Sequence, residues 1–337
     1  MVTYIIRRLL AAVLLLFVVS VVTFAIFFLV PRIAGASPED LASRYVGKTA
    51  GEEELAAMAD KLGFTDPLYV QYGRFAKGLI LGADVSTGPT TEHCPAPCFG
   101  YSFITQNPVW PDLIDRLGVT ISLAAGAAII WLVVGVSIGV LSALRKGTVF
   151  DRFSMGVALA GVSLPIFFTG LVALSIFAYR LHLFPPGGSY EPITVNPLRW
   201  AYDLTLPWVT LAFLYAAGYA RLTRAGMLET MNEDFVRTAR AKGLPERKVV
   251  TKHGLRYTLT PIVTIFGLDL GLLLGGAILT ESTFSLPGIG KYAVDAITNN
   301  DLPKVLGVVM VGAFFIVIAN LVVDILYAVI DPRVRLT

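Results

Sequence analysis

The sequence contains apolar runs that are long enough to cross a lipid bilayer. The first extends from Leu9 to Val30 without a charged residue, and about 20 apolar residues suffice for a spanning helix. Backbone polar groups find no partners in hydrocarbon, so each run is predicted to be helical. Six spans are predicted: Leu9–Val30, Val119–Leu144, Phe153–Tyr179, Leu206–Ala220, Thr258–Thr280 and Val305–Ile330. Pro165 is expected to kink the third of them.

The composition agrees with an all-α polytopic membrane protein. Only 15% of the residues are charged and the mean hydropathy is +0.70, whereas soluble domains contain about 25% charged residues. The net charge of +3 is too small to indicate a nucleic-acid partner. Ala34-Gly35-Ala36 could mimic a signal-peptidase site, but the preceding run exceeds the ~7–15 apolar residues of a signal peptide. We therefore expect a retained first helix, with a cleaved signal as the alternative.

Basic residues indicate the orientation. Six spans place both termini on one side, and 16 of the 27 Lys and Arg residues lie on that side. Seven of the others lie in the long segment 31–118, and long segments cross membranes largely regardless of their charge. We predict cytoplasmic termini in the cell membrane, contact with membrane lipid, and a cytoplasmic loop at 221–256. The expected organisation is an N-terminal helix at 1–30, an extracytoplasmic region at 31–118 and a membrane core at 119–337.

The extracytoplasmic region is predicted to be partly helical. Glu52–Leu62 has acids in its first turn and ends before Gly63, as a short amphipathic helix would. A second helix is expected over 68–80, and the turn-rich stretch Ser86–Cys98 is expected to be irregular. Cys94 and Cys98 would lie in an oxidising space, where a disulfide between them is favoured over two free thiols.

The sequence lacks a recognisable catalytic or metal site. Ala42–Thr49 fits a relaxed phosphate-binding loop, with Gly47, Lys48 and Thr49 at its end, but no strand precedes it. We predict that it does not bind ATP and that the chain has no ATPase site of its own. Two cysteines four residues apart do not make a zinc site, and the three histidines are scattered along the chain.

One polar stretch, Glu233–Lys248, interrupts the apolar second half of the chain. Asp234 is a good N-cap for a helix that begins at Phe235, and Gly243 is placed to end that helix in a left-handed conformation. Pro245 suits the first turn of a second helix. The loop carries nine basic and four acidic residues. Such a loop could only fix topology and contact anionic lipid, or its small residues Thr238, Ala239 and Ala241 could lie in a partner's groove.

Several ordered motifs are spread over almost the whole chain. They are Tyr4–Leu10, Leu62–Leu68 with Gln71-Tyr72, Arg237–Gly243 with Arg247, His253, Leu255-Arg256 and Thr260-Pro261, Glu281–Gly290, Asp301–Pro303, Asp324–Tyr327 and Asp331–Arg333. Together they resemble the binding-protein-dependent ABC permeases, and in particular the B-type permease of dipeptide and oligopeptide importers. The central motif, Arg237–Gly243 with the residues that follow it, is similar to the EAA-type coupling loop of that family.

The chain also departs from this family in three places. Arg237 stands where the broader superfamily has Glu, and Asp269 stands where an uncharged polar residue is expected. A Gly-Asp-x-Gly-x-Ser pattern is split between Gly82–Asp84 and Gly100–Ser102. Val85–Phe99 is therefore expected to be an insertion.

The resemblance implies a type I ABC importer permease fold and a set of partners. Those partners are a second permease, two cytoplasmic ATPases that bind ATP and Mg, and an extracytoplasmic binding protein that delivers short peptides. No cofactor is implied in this chain. The residues expected to couple to an ATPase are Phe235, Arg237, Thr238, Ala239, Arg240, Ala241, Lys242, Gly243 and Leu244.

Acidic residues in or beside the spans are candidates for the translocation path. An intramembrane carboxylate usually faces the bundle interior or water, so Asp269 is expected either to line the path or to make a structural hydrogen bond. Glu281 could face the substrate or cap the loop at Pro287-Gly288, and we favour the cap. Asp324 is expected to anchor Tyr327 or Arg333. The competing interpretation is a secondary transporter driven by an ion gradient through Asp269.

Overall fold

The computed structural model describes residues 2–46, 51–86, 91–102 and 104–330. The phosphate-loop-like residues Gly47 to Thr49 lie outside this range, as do Asp331 to Arg333 and the side chain of Tyr327. The anchoring role expected of Asp324 therefore stays a prediction. Two compact units are present, one formed by Val2–Leu117 with Tyr292–Val317 and the other by Gly118–Lys291 with residues 318–330.

The described chain is almost entirely helical, with one small hairpin. The elements before the second span are α1 (Val2–Phe24), a π-helical turn (Ala25–Leu29), α2 (Val30–Ile33), α3 (Pro38–Val46), α4 (Glu52–Lys61), α5 (Leu68–Leu81), β1 (Ala83–Ser86) and β2 (Thr91–Cys94). They are followed by α6 (Val109–Leu144), α7 (Val149–Ser163), α8 (Ile166–Ala173), a π-helical turn (Leu174–Arg180), α9 (Pro197–Thr230) and α10 (Asp234–Ala241). The last elements are α11 (Glu246–Lys248), a π-helical turn (Val249–Leu255), α12 (Arg256–Leu274), α13 (Ile278–Thr283), α14 (Ile289–Thr298) and α15 (Leu302–Ile330).

Both helices predicted in the segment after the first span are present. The first is α4, and the chain leaves it through Gly63 at φ +71°. The prediction of an irregular stretch over Ser86–Cys98 is wrong at Thr91–Cys94, which pairs antiparallel with Ala83–Ser86. All of its partner strand except Ser86 lies outside the stretch, so the local residue types did not reveal the pairing. Cys94 and Cys98 are joined by a disulfide just after the hairpin.

Four helices of the described chain are long and apolar enough to cross a membrane. They extend over Ile6–Ile33, Val109–Leu144, Glu246–Leu274 and Leu302–Asp324. A fifth span results if α7 and α8 are taken together, since they form an apolar pair that is bent by 105°. Pro165 is the N-cap of α8 and cannot continue the hydrogen bonding of α7, so the predicted kink is confirmed.

Two predicted spans differ from the observed helices. Leu206–Ala220 lies inside α9, which also carries charged residues such as Arg199, Asp203 and Arg224 and is not among the apolar candidates. A total of six spans therefore stays a prediction. The fifth run was expected to continue to Thr280, but α12 ends at Leu274. Gly276 turns the chain at φ +125°. A Cβ atom at this position would press against the backbone of Gly290, so a residue with a side chain would not fit.

Helices α6 and α9 pack closely at glycines of α6. A Cβ atom on Gly135 would lie 2.9 Å from the carbonyl oxygen of Ala216, and one on Gly139 would lie 2.5 Å from Cβ of Thr223. Elsewhere on α6, the indole of Trp208 covers Gly126 and donates a hydrogen bond to the carbonyl of Ser122 at 2.9 Å. This is the small-residue packing that lets membrane helices approach closely.

We predict that Gly139→Ala destabilises the chain. The added methyl group would overlap Thr223, and overpacking of this kind costs about 1–3 kcal/mol. Gly156→Ala is the matched control, because Gly156 is also helical and has no neighbouring atom within 4 Å of an added Cβ. Thermal unfolding of the purified chain in detergent should show a lower midpoint for Gly139→Ala alone. Equal midpoints for the two variants would contradict the packing argument.

Candidate functional site

The polar stretch forms a helical hairpin that is continuous with a membrane span. Helix α10 ends at Ala241, and Gly243 follows at φ +73°, with its N–H donated to the carbonyl of Arg240. The chain then enters α11 behind Pro245 and continues without a break through the π-helical turn into α12. The left-handed Gly243 and the start at Pro245 agree with prediction. The N-cap is Glu233 rather than Asp234, and it makes no side-chain cap.

The inner face of this hairpin is fixed to its own chain. Val236 and Val249 are fully buried, Ala239 is 5% exposed, and the three form one apolar cluster against Met231. Each buried valine of this kind contributes about 1.5–3 kcal/mol. Ala239 was expected on the docking face, but it faces inward because it lies three residues after the fully buried Val236, on the same face of α10. Its small size lets α10 lie close to Val249.

The outer face of the hairpin is exposed. Phe235 is 41% exposed, and its ring contacts that of Tyr257 with 5.8 Å between centroids. The Arg237 guanidinium is directed to solvent and lies 3.4 Å from Asp234. Leu244 is 37% exposed beside Gly243. The other exposed members of the expected coupling set are Thr238, Arg240, Ala241 and Lys242.

An ion pair closes the hairpin across Gly243. The Arg240 guanidinium donates to both carboxylate oxygens of Glu246, from Nη2 to Oε1 at 2.7 Å and from Nε to Oε2 at 3.2 Å. These hydrogen bonds raise the pKa of Arg240 further above its usual value, so the pair stays charged at physiological pH. Arg240 therefore braces α10 against α11, which the sequence did not indicate because a turn separates the two residues.

Asp269 lies on α12, on the same continuous helix as the hairpin. The hydroxyl of Tyr219 donates to its Oδ2 at 2.8 Å. Tyr219 is 3% exposed, whereas Asp269 is half-buried. The structure thus brings Asp269 to α9, and this hydrogen bond is compatible with both roles expected for it.

Glu281 is fully buried, and its carboxylate accepts hydrogen bonds from α6 and from the first turn of α14. Oε1 accepts from the hydroxyl of Thr120 at 2.8 Å, and Oε2 accepts from the N–H of Lys291 at 3.0 Å. Burial raises the pKa of Glu281. An added Cβ on Gly288 or Gly290 would contact the same carboxylate. These contacts support the cap rather than the path, although Glu281 was a candidate for both.

A second ion pair, which sequence reasoning missed, joins α7 to α9. Arg224 donates to both oxygens of Asp151, at 2.6 and 2.8 Å, and Asp151 is buried. Asp151 also accepts from the N–H of Gly147 at 2.9 Å. Asp151 follows Thr148 at capping distance, which is a visible helix-start signal. Its partner lies 73 residues away, and nothing local indicates it.

Comparison with known proteins identifies the family on both halves of the chain. Residues 135–336 match the model described as "Binding-protein-dependent transport system inner membrane component", and residues 1–124 match "Binding-prot-dependent transport system membrane comp, N-term".

Relatives match over nearly the full length. A protein of Alkalihalophilus pseudofirmus named "Dipeptide transport system permease protein DppB" is 36% identical, covering 99% of this chain and 100% of its own. The Escherichia coli (strain K12) protein of the same name is 35% identical, covering 84% and 86%. A Sinorhizobium fredii protein named "Probable peptide ABC transporter permease protein y4tP" is 37% identical, covering 98% and 99%.

A solved structure shares the fold. It is a chain of the MetNI methionine ABC transporter in an inward-facing conformation, which matches with a TM-score of 0.50 at 16% identity. The match covers 65% of this chain and 96% of that one. The fold is therefore that of an ABC importer permease, as the sequence predicted. With its long apolar helices, the chain is a multi-pass membrane protein, and it belongs to the family of binding-protein-dependent transport system inner membrane components.

Proposed function

We propose that the chain is a permease subunit of an ATP-driven importer of short peptides. It forms the translocation path with a second permease, receives peptides from an extracytoplasmic binding protein and is driven by two ATPase subunits. The names of the relatives support the substrate class. The single observation that carries the mechanism is the unbroken helix over Glu246–Leu274, which connects the exposed hairpin to the span that holds Asp269.

The hairpin is built as a rigid docking element. Its inner face is held by Val236, Ala239 and Val249, and the Arg240–Glu246 pair braces its bend. A partner that grips the outer face therefore moves α10 and α11 together. Since α11 continues into α12, that movement reaches the span directly. Helix-in-groove docking of an exposed helix face is a common recognition mode, and here the groove would belong to an ATPase.

The proposed orientation places this hairpin and both termini in the cytoplasm. The two termini and the loops on their side hold 16 of the 27 Lys and Arg residues, as the positive-inside rule requires. The division into an N-terminal helix at 1–30, an extracytoplasmic region at 31–118 and a core at 119–337 follows from this orientation. ATP and Mg bind to the partner subunits in this scheme.

The path assignment rests on Asp269. Its carboxylate is partly exposed on the helix that the hairpin would move, which suits a residue that meets the cargo. The ion-gradient alternative gains no support, because the relatives are named as permeases of ABC and dipeptide transport systems.

The first test replaces Gly243 with leucine. Gly243 has φ +73° and open space around an added Cβ, so the substitution only strains the backbone, by about 1–2 kcal/mol. We expect peptide uptake by the assembled complex in proteoliposomes to fall at least about tenfold, the change in rate that 1.4 kcal/mol produces, while the amount of complex stays normal.

Gly147→Leu is the matched control for this test. Gly147 has φ +80°, is equally open and lies in another predicted cytoplasmic loop, so it carries the same backbone cost outside the hairpin. Uptake that falls equally in both variants, or in neither, would contradict a coupling role for the bend at Gly243.

A charge exchange tests whether Arg240 braces the hairpin or contacts the ATPase. Arg240→Glu should weaken uptake by placing two carboxylates side by side. The double variant Arg240→Glu with Glu246→Arg re-forms the pair and should restore most of the uptake. Exposed pairs contribute only about 0.2–1 kcal/mol, so the expected single-variant loss is roughly two- to fivefold. If the double variant stays as impaired as the single one, Arg240 contacts the partner instead.

A further inference from the structure

The carboxylate of Asp269 lacks a cationic partner within the described part of the chain. Its Oδ2 accepts the hydroxyl of Tyr219 at 2.8 Å, and none of the ion pairs formed by the described residues includes Asp269. One neutral hydrogen bond does not balance a charge in a low-dielectric environment. The side chain is nevertheless partly exposed, so a ligand can approach it.

An aromatic cluster from three helices includes Tyr219, the residue that donates to this carboxylate. Tyr215 and Tyr219 are one turn apart on α9, and Phe266 is one turn before Asp269 on α12, so each pair shares a helix face. Trp131 of α6 joins them, with ring centroids 4.6 Å from Tyr215, 6.0 Å from Phe266 and 6.2 Å from Tyr219. Trp131 and Tyr219 are buried, so Tyr215 and Phe266 are the rings of this cluster that remain partly exposed.

This combination selects a small organic cation. An ammonium group offers three N–H donors and is attracted by aromatic faces within about 6 Å of their centroids. A guanidinium prefers both oxygens of a carboxylate, but Oδ2 is already bonded to Tyr219. A divalent metal ion needs several oxygen ligands, and the described residues form no cluster of three possible metal ligands.

We propose that Asp269 and the partly exposed ring of Tyr215 bind the primary ammonium at the amino terminus of the peptide in transit. This inference rests on the proposed function, because it assigns a group of the proposed cargo to a site in the path. Asp269 then determines specificity inside the membrane, separately from the selection made by the binding protein. Its position on α12 makes this contact sensitive to movement of the hairpin.

The test uses the complete complex, with its second permease, ATPases and binding protein, in proteoliposomes supplied with a dipeptide that has a free amino terminus. Asp269→Asn keeps the size and the acceptor for Tyr219 but removes the charge. We expect peptide uptake to fall about tenfold or more, and the ATP hydrolysed per peptide to rise correspondingly. Asp269→Glu, which keeps the charge, should restore uptake to within about threefold of wild type.

Tyr219→Phe separates binding from a structural hydrogen bond. It removes the bond to Oδ2 but keeps the ring and the carboxylate, so we expect uptake to fall by about threefold at most. The proposal is overturned if Asp269→Asn transports like wild type, if Glu is as defective as Asn, or if Tyr219→Phe loses as much as Asp269→Asn. A wild-type complex that takes up no peptide at all would instead overturn the proposed function itself.

Discussion

The working parts of this permease depend on the continuity of one helix. From Glu246 to Leu274 the chain stays helical, although the segment passes from a charged surface into an apolar environment and contains Pro261, which has no N–H to donate. In hydrocarbon an unsatisfied peptide group costs several kcal/mol, so any further break in the middle of the span is disfavoured. Its ends are where the chain bends, at Gly243 on one side and at Gly276 on the other. Glycine at positive φ is what makes those bends inexpensive.

Much of the helix content, and the bend at Gly243, could be predicted from the sequence because each has a local cause. Apolar length indicates a span, Pro165 interrupts a helix, and Gly243 before Pro245 ends one helix and begins another. The inward position of Ala239 could not be predicted, because it depends on Val249 across the bend. The same limit applies to Arg224 with Asp151 and to Thr120 with Glu281, whose partners are 73 and 161 residues apart. Long-range partners leave no local pattern in a single sequence.

Some charged residues in this chain make contacts that hold two helices together, and others are exposed. The buried Asp151 and Glu281 are fully engaged by donors from their own chain, and such satisfied groups fix geometry rather than bind ligands. Arg240 braces the hairpin, while Arg237 is exposed next to Asp234. Asp269 is the exception among these acids, because its only side-chain partner in the described chain is a neutral phenol. Asp151 and Glu281 therefore hold helices together, whereas the charge of Asp269 has no cationic partner among the described residues.

The hydrogen bond between Tyr219 and Asp269 is sensitive to the angle of the helix that carries Asp269. Asp269 lies 23 residues beyond Glu246, which at 1.5 Å per residue makes a rod of roughly 35 Å. A tilt of about 5° around the hairpin end moves the far end of such a rod by roughly 3 Å. A hydrogen bond of 2.8 Å does not survive a shift of that size. A small change in the angle of this helix at the hairpin is therefore enough to make or break the bond between the phenol and the carboxylate.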